Sequence, residues 1–92
     1  ANSPQTYAYS QGSEGYWLGD TIGRNLSLIT GLEYRGANVR PSLYVLRKTK
    51  MPSTLIEMGF ITNPHDAMLM STEPDLFALG IYNGILEYFN LQ

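Results

Sequence analysis

Leu18, Ile22, Leu26 and Ile29 recur at spacings of four, four and three, which puts one apolar stripe on a helix over residues 19–31. Asp20 near its start suits the positive end of a helix dipole, and Gly31 suits a left-handed cap at its end. Residues 1–12 are polar and turn-rich and read as an extended loop, and residues 13–18 read as a short strand carrying Tyr16 and Trp17. After a connection over 35–42, Leu43-Tyr44-Val45-Leu46 is a short apolar run rich in strand formers. Pro52 opens a further strand over 53–57, since proline is tolerated at a strand's first position.

Asn63-Pro64-His65-Asp66 is a helix start: Asn caps, Pro fills the first helical position, and Asp reaches back to the cap. That helix is short and ends near Ser71. Thr72-Glu73-Pro74-Asp75 repeats the device and opens a longer helix to Phe89. Its apolar residues cover more than half its circumference, so it is expected to be mostly buried, against a sheet face. Gly80 and Gly84, four apart, permit close approach to a neighbour.

The order strand, helix, strand, strand, helix, helix predicts an α/β fold: a mixed or mostly parallel sheet flanked by helices. So few strands cannot cover so apolar a final helix. Residues 1–92 are therefore expected to be the C-terminal half of a larger single domain.

Composition narrows the chemistry. The chain has 92 residues, 43% of them hydrophobic and 15% charged, which is too apolar for a disordered tail. Cysteine is absent, so there is no disulfide framework and no thiol chemistry, and His65 is the single histidine, so a site needing two cannot be built from these residues. No apolar run is long enough to span a membrane. The net charge is −2, with Arg24, Arg35, Arg40, Arg47, Lys48 and Lys50 all in the first fifty positions. In an acidic chain these bases read as a solvated face, and nucleic acid is not an expected partner.

Glu57 is the anomaly. It ends the apolar strand Leu55-Ile56-Glu57, and Gly59 follows closely. Open α/β sheets place their sites at the C-terminal ends of strands, where a carboxylate can serve as a proton acceptor. The alternative is a strand-edge ion pair with Arg47 or Lys50. Glu14 sits between turn-forming glycines, and His65 in a first helical turn reads as a surface residue.

Tyr44-Val45-Leu46-Arg47, the run from Pro52 to Asn63, and Asp66 together resemble the C-terminal signature of the zinc-dependent N-acetylmuramoyl-L-alanine amidases, cell-wall hydrolases of the amidase 3 type. Arg35-Gly36 and Ile85-Leu86-Glu87-Tyr88-Phe89 are similar as well, and the resemblance covers most of residues 14–90. It implies that Glu57, in the Pro-x-x-Leu-x-Glu-x-Gly-Phe segment, is the catalytic acid/base. It also implies zinc as cofactor, held by two histidines and a glutamate, and peptidoglycan as substrate, cut between N-acetylmuramic acid and L-alanine in the extracellular wall or at phage lysis. Ala1-Asn2 is similar to the end of a His-Ala-Asn segment bearing the last ligand. All three zinc ligands are thus expected upstream of Ala1, in the N-terminal part of the same domain, and residues 1–92 alone are expected to be inactive. The competing readings are a fragment that grips peptidoglycan or docks on a partner without metal, and a metalloenzyme of another reaction class on the same frame.

Overall fold

The computed structural model describes residues 4–58 and 64–90. They form β1 (Gln5–Ala8), α1 (Glu14–Thr30), β2 (Asn38–Val39), α2 (Tyr44–Lys48), β3 (Leu55–Glu57), α3 (Pro64–Thr72) and α4 (Pro74–Phe89). The sheet has three strands in the order β2-β1-β3. β2 runs parallel to β1, and β3 runs antiparallel to it. The fold is thus α/β with a mixed sheet flanked by helices, as the pattern predicted.

α1 starts earlier than the apolar stripe indicated. Ser13 Oγ accepts the Tyr16 backbone N–H at 3.1 Å, so Ser13 is the N-cap and Glu14 supplies the acidic first turn. The expected strand over 13–18 is therefore the cap and the N-terminal turns of α1. Asp20, no longer near a terminus, pairs instead with Arg24 one turn on. The helix ends as expected at Gly31, with φ of 76° and its N–H on Ser27 O.

β1 lies inside the stretch expected to be a loop. Its polar residues mask it: Thr6 is fully buried, and its hydroxyl shares a hydrogen bond of 3.0 Å with the Tyr34 hydroxyl. Tyr34 OH also donates to Asp20 Oδ1 at 3.0 Å. One phenol thus ties the central strand to α1. Burial is the chief cause that pushes this phenol above its ordinary value.

The run 43–46 is also helix rather than strand. Arg47 N–H bonds Leu43 O and Thr49 N–H bonds Val45 O, so the backbone closes on itself. Leu46 alone is buried in it, while Tyr44 and Val45 are exposed.

The core joins Leu18, Ile22, Leu26, Leu32 and Phe77, with Ile56, Leu69, Met70, Ile81 and Tyr88 packed against it. Burying Ile22 and Leu26 contributes about 1.5–3 kcal/mol each. α1 lies on β1, and α4 packs on α1 rather than on the sheet face that was expected. Gly80 and Gly84 make that approach possible: a Cβ on Gly84 would stand 2.6 Å from Ile22 Cα, and one on Gly80 3.0 Å from Leu26 Cα. The opposite side of α4 carries Leu79, Tyr82 and Phe89, all exposed, so α4 is not mostly buried within this chain. α3 opens at Pro64 as its start signal predicts, although Asn63 and the side chain of Asp66 lie outside the described residues. Among the described residues, no helix is long and apolar enough to cross a membrane.

Candidate functional site

Pairing of β3 with β1 sets Glu57 opposite Gln5, Ile56 opposite Thr6 and Leu55 opposite Tyr7. Side chains alternate along a strand, so the two strands sort their residues onto two faces. Thr6, Ala8 and Ile56 take the face that carries α1 and the core. Gln5, Tyr7, Leu55 and Glu57 share the other. Glu57 is the last residue of β3, at the end of the sheet where β1 begins. Glu57 does end its strand as the sequence indicated, but β3 runs antiparallel, so this is the end of the sheet at which β1 begins and not the C-terminal edge of the parallel strands β1 and β2.

Glu57 is half-buried. The hydroxyl of Tyr7, a residue 9% exposed, carries one proton and lies within hydrogen-bond reach of two acceptors, Gln5 Oε1 and, at 3.4 Å, Glu57 Oε1. The Arg40 guanidinium lies over the Tyr7 ring, 4.0 Å from its centroid, in a cation–π contact that holds the ring in place. Arg40 is itself fixed by its backbone N–H, which bonds Ala8 O at 2.8 Å and extends the β1–β2 pairing.

The strand-edge ion pair of Glu57 with Arg47 or Lys50 does not form: among the described residues, the ion pairs join Arg24 to Asp20 and Glu87, and Arg35 to Glu33. Arg47 and Lys50 belong to the far end of the sheet. There, with Glu14, Leu46, Met51 and Ser53, they line a pocket of about 210 Å³. Glu14 is thereby separated from Glu57 by the length of β1. His65 is exposed on the first turn of α3. Among the described residues, no three of His, Cys, Asp and Glu stand together as a metal site.

Gln5 and Tyr7 are the neighbours of Glu57 that sequence reasoning missed, as it missed Arg40 over the Tyr7 ring. The signal available was the alternation Gln5-x-Tyr7-x-Tyr9, a strand pattern inside a polar stretch.

The family model described as N-acetylmuramoyl-L-alanine amidase matches residues 4–87. The germination-specific N-acetylmuramoyl-L-alanine amidase of Bacillus subtilis (strain 168) is 36% identical over 79% of this chain, which covers 30% of that protein. The CwlD amidase from Clostridioides difficile, solved in complex with the GerS lipoprotein, superposes with a TM-score of 0.89 at 26% identity, over 100% of this chain and 48% of that one. An N-acetylmuramoyl-L-alanine amidase from Clostridium difficile 630 superposes with a TM-score of 0.83 at 29% identity, over 98% of this chain and 50% of that one. The chain thus spans half or less of the length of these relatives.

Proposed function

This chain belongs to the N-acetylmuramoyl-L-alanine amidase family, and from that membership we propose that residues 1–92 are the C-terminal part of a catalytic domain that hydrolyses the amide between N-acetylmuramic acid and L-alanine in peptidoglycan. The observation that carries the reading is Glu57: a half-buried carboxylate at the end of β3, with no cation paired to it among the described residues.

Amide hydrolysis needs a proton taken from water as it attacks the carbonyl and a proton given to the departing nitrogen. Glu57 does both in turn. As a carboxylate it removes the water's proton; as a carboxylic acid it returns that proton to the amine of L-alanine. The C–N bond then breaks, leaving the lactyl acid on the glycan and a free amino terminus on the stem peptide.

Zinc is the cofactor this reading requires, and the described residues do not fit a zinc site by themselves. They hold no cluster of three suitable side chains, and their one histidine is exposed on α3. The ligands therefore come from the N-terminal part of the domain. The register of β1 and β3 supports this, because β1 begins at the Glu57 end of the sheet. Peptidoglycan as substrate makes the cell wall, outside the membrane, the place of action.

The experiment is digestion of purified peptidoglycan by the full-length protein. Free L-alanine amino termini should rise with time, while reducing sugars from glycan cleavage do not. Reducing ends without new amino termini, or binding of peptidoglycan without either product, would replace the amidase reading, the latter with a non-catalytic wall-binding one.

A further inference from the structure

We propose that Tyr7 is the positioning residue of Glu57, holding it in both protonation states of the reaction; this rests on the acid/base reading of Glu57 above. Tyr7 and Glu57 are diagonal neighbours on one face of the β1–β3 pair, the spacing at which long side chains meet across antiparallel strands. The Tyr7 hydroxyl carries one proton and faces two acceptors, Gln5 Oε1 and Glu57 Oε1. A phenol is both donor and acceptor, and this arrangement uses both capacities. While Glu57 is a carboxylate, the hydroxyl donates to Oε1 and fixes its orientation. Once Glu57 has taken the water's proton, the hydroxyl turns its own proton to Gln5 and leaves a lone pair for the new carboxylic acid. No proton leaves Tyr7 in either state, so the reaction's proton count is unchanged.

The rest of the geometry fits a fixed post rather than a mobile side chain. The Tyr7 ring is buried, and the Arg40 guanidinium covers its face at 4.0 Å. Its backbone carbonyl accepts the Thr54 hydroxyl at 3.1 Å, just before β3 begins. The strand bearing Glu57 and the residue that orients Glu57 are therefore joined by main chain and side chain alike.

The test is a double-mutant cycle in the metal-loaded, full-length protein, with Tyr7→Phe, Glu57→Gln and both together, assayed on a soluble muropeptide. Tyr7→Phe keeps the ring and removes only the hydroxyl. It should lower kcat by about 5–30-fold with KM within about twofold, the pattern of a lost orientation rather than lost binding. On the Glu57→Gln background it should add nothing, because the two side chains act as one unit. In protein labelled with 13C at glutamate carboxyls, the Glu57 resonance should move in Tyr7→Phe.

An inactive Glu57→Gln beside a Tyr7→Phe with the parent's kcat overturns this inference alone. A Glu57→Gln with the parent's rate overturns the acid/base reading, and this inference with it. An equal fractional loss from Tyr7→Phe on both backgrounds also overturns it, since the hydroxyl would then act elsewhere. Should Tyr7→Phe fail to fold, Gln5→Met serves instead: it removes the acceptor that takes the Tyr7 proton once Glu57 is protonated, and kcat should fall by about 5–30-fold with KM within about twofold. A Gln5→Met variant with the parent's kcat would contradict the arrangement.

Discussion

Gly84 of α4 lies directly on the backbone of Ile22 in α1, so closely that a Cβ would stand 2.6 Å from Ile22 Cα. Backbone cannot step aside as a side-chain tip can. Ala in place of Gly gains about 1 kcal/mol of helix propensity, but overpacking a tight contact costs about 1–3 kcal/mol. Gly84→Ala should therefore destabilise the domain on balance. Gly80→Ala should cost less, because a Cβ there would meet a Leu26 methyl at 2.9 Å and backbone, Leu26 Cα, only at 3.0 Å. Urea unfolding of the two variants should rank them in that order; a stabilised Gly84→Ala would refute the packing described for α1 and α4.

Tyr34 predicts an alkaline limit to stability. Burial chiefly raises its phenol above the ordinary 10.0; the Thr6 hydrogen bond opposes this, and the nearby Asp20 carboxylate, by its charge and by accepting the phenol's hydrogen bond, adds to the rise. The folded state therefore keeps a proton that the unfolded chain releases from about pH 10 upward. Its contribution to stability is complete below that pH and fades as pH rises through the raised folded value. Thermal melts between pH 8 and 11 should show this loss. In Tyr34→Phe the alkaline slope should flatten, while stability at neutral pH falls by about 1 kcal/mol for the lost hydrogen bonds.

Leu79, Tyr82 and Phe89 form an apolar stripe on the side of α4 turned away from α1, with exposures of 43%, 59% and 46%. β2 and β3 each present an outer edge not paired within the described residues. Both features favour association. Expressed alone, the 92-residue segment should self-associate at micromolar concentration in light-scattering measurements, and Leu79→Lys with Tyr82→Lys should shift it toward monomer. A monomeric parent segment would show that the stripe needs no cover.

Legibility of the sequence divided along physical lines. The stripe Leu18-Ile22-Leu26, the cap at Gly31, the start of α3 at Pro64 and the span of α4 were readable because each is written in local periodicity or in the placement of proline and glycine, although Thr72 closes α3 instead of capping α4, and Glu73 at the cap makes no side-chain bond. Glu57 was readable for a similar reason: a charge at the end of an apolar run stands out. β1 was not, because Thr6 and Gln5 are satisfied by Tyr34 and Tyr7, partners distant in sequence or visible only once the strand is formed. The run Tyr44–Leu46 has strand composition yet folds as a helical turn, since its backbone bonds close locally and a single residue, Leu46, needs burial. The Tyr7–Glu57 contact joins residues fifty positions apart. It arises from strand register, which composition alone does not set.

The decisive measurement compares the full-length protein with its Glu57→Gln variant, with bound zinc and the initial rate of L-alanine amino-terminus release from peptidoglycan determined on the same samples. The variant should hold as much zinc as the parent and fold as stably, while its rate falls by about 10²–10⁴-fold, the loss typical of a removed acid/base group. Parent-like turnover in Glu57→Gln would contradict the role assigned to this carboxylate.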